Sequence, residues 1–324
     1  MKHNSLIRSA SALAILAIGS TLTTASAAEN TDRSQAEPAC RSSSVIFCEN
    51  WENGDWFGWR DYNVADSLNK GGFRGGDTCA QGCTLPYPGY DNSRAVAIKL
   101  PKDQPDGIYP RNSFNRMVDA NDTLYARWRA YWSPNFHFNY QNTKHFYLLS
   151  NARTNNGGGG NYRVAFQLRP ATRSDHPSSA VPYVQLYKTQ VEVAAGSWQS
   201  QTGENDIRYF PNQAGTGEFR IRGGQWYEFE MRVTPNPRGS RFGGRIQFWI
   251  DGELMADYSD NVSIRKANEM DILDGVWLSS YFGGGGQSTH PEQYVVYDDI
   301  IVSKERIGPV VVPPPLAPTS LRAK

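Results

Sequence analysis

The chain is predicted to fold as an all-β sandwich, and three observations carry that prediction. Short apolar–polar runs recur from Val45 to Ser303, with Gly, Pro, Asn and Asp gathered between them. No long segment holds an apolar period near 3.6 residues. The two cleanest runs, Tyr162–Arg169 and Val181–Lys188, each split into an apolar face and a face of Arg, Gln and Tyr. Many short strands in one chain close into a sandwich or barrel, and roughly 260 residues suit one such domain.

Taken in order, the chain begins with a targeting segment. Lys2, His3 and Arg8 make a basic start, Ser11–Leu22 is apolar, and Ala25-Ser26-Ala27 gives a small-x-small cleavage pattern. The apolar run is too short to span a bilayer, and no later run approaches that length. Residues 1–27 are therefore expected to be a signal peptide, 28–44 a leader, and 45–308 the sandwich of an exported protein. Expected strands are Val45–Glu49, Arg94–Leu100, Leu124–Trp132, His145–Ser150, Tyr162–Arg169, Tyr183–Lys188, Trp226–Thr234, Arg245–Ile250, Val276–Tyr281 and Tyr294–Val302. Two runs of four glycines, Gly157–Gly160 and Gly283–Gly286, mark loops. Residues 309–324 read as a proline-rich linker, whose last residues, Ala317–Ala323, resemble the opening strand of a fibronectin type III module.

Four cysteines, Cys40, Cys48, Cys79 and Cys83, allow three pairings in an exported protein. The two that close local loops, Cys40–Cys48 and Cys79–Cys83, are favoured. No Cys/His spacing matches a zinc site. The formal charge of +1 becomes −1 once Lys2 and Arg8 are removed, which gives no global argument for nucleic acid. The local balance differs. Nine basic residues lie between Arg111 and Arg173, against only Asp119 and Asp122, a local net of +7. Such a patch concentrates an anionic ligand; the alternative is that the charges scatter over several faces and cancel against distant acids.

On the alternating pair, Arg offers charge for a carboxylate, Gln offers amides for hydroxyls, and Tyr offers rings for stacking on sugars. Gln167, Arg169, Tyr183 and Gln185 are the expected substrate contacts. The plain alternative is a half-buried sheet with a solvated outer face. Tyr125, Arg127, Arg129 and Tyr131 share one face of their own strand. They join the same surface if that strand adjoins the pair, and are surface charges on the opposite sheet if it does not; alternation alone weights the two equally.

Phe47-Cys48-Glu49-Asn50-Trp51-Glu52-Asn53-Gly54-Asp55 is an acidic-aromatic first strand ending in Gly-Asp. Leu124–Phe136 forms a strand and turn ahead of Lys144, Gly244–Gly252 ends in a Trp-x-Asp-Gly turn, and Tyr297-Asp298-Asp299-Ile300-Ile301-Val302-Ser303 closes the pattern. Together these segments resemble the concanavalin A-like jelly roll of secreted polysaccharide lyases, especially the alginate and glucuronic-acid-polymer lyase group. The resemblance implies a jelly-roll β-sandwich with a concave cleft sheet, acting as a monomer on an acidic polysaccharide by β-elimination and without a cofactor. It places the group's lysine on Lys144, its first cleft strand on Arg163 and Ala165, and its tyrosine-bearing strand on Gln185 and Tyr187. The chain departs from the group at Ala165, at Gln185, and across Thr143–Leu148, where the group has a Gly-Lys-Leu-Pro-Gly-Leu segment.

Such a lyase removes the C5 proton of a uronic acid and expels the O4 sugar. Arg163, Arg169 or Gln185 is expected to neutralise the carboxylate. Tyr187 is the first choice for base or acid and His145 the second. Neighbours on a strand face opposite sides, so only one of Lys144 and His145 lines the cleft. A structural calcium at Glu49, Glu52, Asp298 and Asp299, with Glu52 and Asp299 as its main ligands, is weighed against salt bridges at strand ends, which are favoured. Two other functions compete: a non-catalytic carbohydrate-binding or adhesion domain of the same fold, and, behind it, a glycoside hydrolase using Glu269 and Asp271 or the pair Glu228 and Glu230.

Overall fold

Alternation becomes structure most plainly in the strand Leu124–Trp132, where Leu124, Ala126, Trp128, Ala130 and Trp132 are buried in the core, as a two-residue period requires. The computed structural model describes residues 37–52, 59–61, 76–78, 89–90, 95–103, 110–114, 117–138, 142–150, 163–170, 178–187, 199–201, 205–209, 219–259, 262–265, 272–283 and 290–309. The expected signal segment, the expected pair Cys79–Cys83, Gly157–Gly160, Glu269 to Asp271 and residues 310–324 lie outside them.

Two antiparallel sheets form a jelly-roll β-sandwich, one of them curled into a half-barrel. The first sheet contains β1 (Val45–Glu49), β3 (Gly76–Thr78), β4 (Val96–Leu100), β6 (Leu124–Trp132), β13 (Trp226–Thr234), β14 (Arg245–Ile250), β15 (Glu253–Tyr258) and β18 (Gln293–Ser303). Its order is β15-β14-β13-β6-β18-β4-β3, with β1 also on β18. The second contains β2 (Arg60–Asp61), β5 (Pro110–Ser113), β7 (Asn142–Ser150), β8 (Arg163–Pro170), β9 (Ser179–Tyr187), β10 (Gln199–Gln201), β11 (Asn205–Tyr209), β12 (Ile221–Arg222), β16 (Leu273–Leu278) and β17 (Phe282–Gly283). Its order is β10-β11-β9-β8-β7-β16-β5-β2.

The hairpin β14–β15 turns on Asp251 and Gly252, both at positive φ (49° and 81°), as a two-residue turn with matching twist requires. The Asp251 carboxylate accepts the Glu228 N–H at 2.8 Å, tying the turn to β13. The disulfide Cys40–Cys48 joins the chain ahead of β1 to β1 itself.

The core lies between the sheets and is aromatic. Trp128 stacks on Phe146 at 4.0 Å between centroids and packs against Phe166 and Phe229. It also holds a buried polar chain. Trp128 Nε1–H donates to His145 Nε2 at 3.1 Å, so the neutral ring carries its proton on Nδ1 and donates to the Tyr297 hydroxyl at 2.8 Å, itself 2.8 Å from Ser280 Oγ. Burial holds the His145 pKa well below 6.5 and pushes the Tyr297 hydroxyl upward.

Candidate active site

Phe146, Leu148, Val164, Phe166, Leu168, Val184 and Leu186 enter the core, so the alternate residues of β7, β8 and β9 face away from the first sheet. Strand register arranges these in rungs. Lys144, Gln167, Tyr183 and Tyr209 share one; Trp277, Tyr147, Ala165, Gln185 and Ile207 share the next; Leu149, Arg163, Tyr187 and Asn205 share the third. Lys144, Gln167, Tyr183, Gln185, Arg163 and Arg169 thus lie on one face, as the alternating pattern implies. The backbone of Tyr187 sits directly opposite Arg163.

Lys144 reaches this face because β7 is irregular there. Its register against β8 shifts between Lys144 and Phe146. Opposite, Lys144 N–H donates to Tyr281 O at 2.9 Å and Ser279 N–H to His145 O at 2.7 Å, so the turn after β16 follows the same step. A bulge puts one extra residue on one strand and resets the alternation beyond it. His145 and Phe146 both enter the core, while Lys144 and Tyr147 both face outward. His145 is fully buried with both ring nitrogens engaged, so it does not line the cleft. That corrects its place as second choice for the base. The structure adds Tyr147, which unbroken alternation from Lys144 assigns to the wrong face, and Trp277, whose strand neighbour no local pattern reveals. Their rings lie 4.9 Å apart, and the Arg163 guanidinium sits 5.3 Å from the Trp277 ring centroid.

The polar centre is small and specific. Lys144 Nζ donates to Gln167 Oε1 at 2.7 Å, the Tyr183 hydroxyl donates to the same oxygen at 2.6 Å, and Gln167 Nε2 donates to the Tyr147 hydroxyl at 3.4 Å. Burial, then the Arg163 guanidinium, bring the Lys144 amine from 10.5 down to about 7. An amine titrating there can both take and return a proton near neutrality.

Arg127, Arg129 and Tyr131 lie elsewhere. Their strand, β6, is in the first sheet between β13 and β18, and these side chains point away from the core on that sheet's outer face. Strand pairing joins distant segments, so local alternation did not reveal the partner. Arg129 pairs with Glu228 at 3.1 Å and with Asp299, and its guanidinium stands 4.0 Å over the Tyr90 ring. Arg127 pairs with Glu37 and donates to Gly308 O at 3.0 Å. Tyr131 packs against Trp226 at 5.6 Å. Glu230 accepts the Ile307 N–H at 2.8 Å, so neither it nor Glu228 stands as a hydrolase carboxylate on the β7–β9 face.

Carboxylates weighed for calcium have partners within the protein. Asp299 faces Arg129, Glu49 accepts Trp51 N–H and Trp59 Nε1–H at 3.0 and 3.1 Å, and Asp298 accepts Tyr90 N–H at 2.9 Å. Among the described residues, no three His, Cys, Asp or Glu side chains gather closely enough to hold an ion.

Three comparisons complete the description. No curated protein matches the chain in sequence. Among solved structures, the alginate lyase of the marine Aplysia kurodai aligns over 80% of this chain and 99% of its own, at TM-score 0.53 and 15% identity, which establishes the shared fold. The endo-β-1,4-glucuronan lyase of the fungus Trichoderma reesei covers 80% and 95% at TM-score 0.45 and 12% identity. An alginate lyase from Chlorella virus covers 76% and 99% at TM-score 0.46 and 11% identity. Residues 101–300, well over half the chain, match the family model described as Polysaccharide lyase 14, a span holding β5 to β9, β13 to β16 and the Lys144 centre. The chain belongs to that family of polysaccharide lyases.

Proposed function

We infer that the protein is an exported lyase that cleaves a uronic-acid-containing polysaccharide by β-elimination on the outer face of β7, β8 and β9. One observation carries this reading. Lys144, its amine near pKa 7, is held on that face among Gln167, Tyr183, Arg163 and Tyr147. Family membership supports the reaction class. The alginate lyase of like fold supports a uronic polymer. The Cys40–Cys48 disulfide and the signal-like N-terminal sequence pattern support export.

Arg163 and Gln185 would bind the uronate carboxylate and stabilise the negative charge that develops on it as the C5 proton leaves. Lys144 Nζ, in its neutral form, would take that proton. The C5–H electrons form the C4=C5 double bond, the C4–O4 bond breaks, and Tyr187 gives its phenolic proton to the departing O4. Product release and proton exchange with water restore both groups.

The unsaturated uronide absorbs in the ultraviolet, which makes the test direct. The mature protein is incubated separately with alginate, polyglucuronate, pectate and glycosaminoglycans. The expected result is rising absorbance on at least one polymer, lost in Tyr187→Phe while polymer binding remains. Silence on every polymer, with retention on a polymer affinity gel, would overturn the lyase reading in favour of a binding domain.

A further inference from the structure

Gln167 stands at the centre of the polar face, and its geometry gives it a task separate from touching a sugar. An amide carbonyl has two lone pairs. Here they receive Lys144 Nζ–H at 2.7 Å and Tyr183 O–H at 2.6 Å, while the amide nitrogen donates to the Tyr147 hydroxyl at 3.4 Å. The side chain is fully buried, so the amide cannot turn without stranding these partners. Lys144 and Gln167 are register partners across β7 and β8, and Tyr183 is the register partner of Gln167 on β9. Three adjacent strands are thus joined through one oxygen.

We propose that Gln167 is a positioning residue for Lys144: a neutral amide that fixes the amine in one direction on the outer face and, through the same oxygen, aligns the Tyr183 hydroxyl. This rests on the reading of Lys144 as the proton-transfer group. The choice of amide over carboxylate matters. A glutamate has the same shape, would accept the same two donors, and would add a negative charge within 3 Å of the amine. Among the described residues, the charged groups on this face are Arg163 and Arg169 of β8 and Arg111 of β5, the register partner of Trp277, and the ionisable ones on β7 and β9 besides Lys144 are Tyr147 and Tyr183. Of these, Arg163 lowers the Lys144 pKa. A carboxylate at 167 would oppose that effect and hold the amine protonated at neutral pH.

The test pairs a titration with kinetics. Lysine side chains are isotopically labelled, and the Lys144 resonance is identified by its absence in Lys144→Met. In Gln167→Glu the midpoint of that resonance is expected to rise by about one pH unit or more, and the alkaline shift of the pH–rate profile should match it. In Gln167→Leu, which has no acceptor, kcat is expected to fall about tenfold or more while KM moves less than about threefold. An unchanged Lys144 midpoint in Gln167→Glu would overturn the proposal. So would a rise in KM with kcat and the pH profile intact, which would make Gln167 a plain substrate contact. If the unmodified protein turns over no uronic polymer, the functional reading fails, yet the titration still decides whether Gln167 governs Lys144.

Discussion

Two outward faces of this sandwich carry buried cations, and they treat them oppositely. On the first sheet, Arg129 meets the carboxylates of Glu228 and Asp299, and Arg127 meets Glu37. On the second, Lys144 meets a neutral amide, with the Arg163 guanidinium bearing on it from the same face. Both groups are nearly out of water, Arg129 at 3% and Lys144 at 8% exposure. A buried charge facing carboxylates is neutralised, and its role is to hold the structure together. A buried amine facing an amide keeps a strained proton equilibrium, which is what acid–base chemistry uses. On the proposed function, the two faces divide scaffold from reaction.

The sharpest way to break this comparison is to remove one cation from each face. Lys144→Met is expected to lower turnover of a uronic polymer by about 10²–10⁴-fold, read as the rate of ultraviolet absorbance. Arg129→Met is expected to cost up to about 3 kcal/mol in denaturant unfolding, because it takes the shared cation from the partly buried carboxylates of Glu228 and Asp299, with kcat unchanged in the protein that stays folded. If Arg129→Met abolished turnover at full stability, the division of faces would be wrong.

His145 tests the interior between them. His145→Leu should cost about 1–3 kcal/mol by stranding Trp128 Nε1–H and removing one of the partners of the Tyr297 hydroxyl, which keeps Ser280 Oγ. Because the folded pKa of His145 is depressed, the unfolded chain binds the extra proton below about pH 6.5. Stability therefore falls as pH drops from there, and thermal melts of His145→Leu should lose that slope.

Lys144 makes a smaller, opposite prediction for stability. The folded amine titrates at about 7 and an unfolded lysine near 10.5. Between those values the unfolded chain holds more protons, so stability rises with pH across that window, and at pH 7 the penalty is almost fully present. Lys144→Met should be more stable than the parent at pH 7, by about 1–2 kcal/mol after relaxation, and the gain should vanish above about pH 10.5. A loss of stability would show that the Gln167 hydrogen bond outweighs desolvation. Smallest of all, Arg245→Met removes the half-exposed pair with Asp257 and should change stability by less than about 0.5 kcal/mol.

Much of the fold was legible because strand periodicity is local. Leu124–Trp132, Trp226–Thr234 and Arg245–Ile250 appear with the expected bounds. The hairpin partner Glu253–Tyr258 escaped notice because its pattern is broken by a register shift between Phe248 and Trp249. In the site, Lys144 was placed by resemblance to the lyase group, while Gln167, Tyr183 and Gln185 shared a face on alternation alone. Tyr147 did not, because a bulge leaves no composition signal in Thr143-Lys144-His145-Phe146 and yet inverts the face of each residue after it.

The sequence by itself determined which residues of each strand separate into an oily and a polar face, because side-chain direction alternates within a few bonds. It also favoured the pairing of Cys40 with Cys48, which sit 8 residues apart. Only the tertiary structure decided which polar faces share a surface. It sent the Arg and Tyr of β6 to the scaffold sheet, turned His145 into the core, and brought Lys144 to Gln167, because strand order and register depend on contacts between residues far apart in the chain.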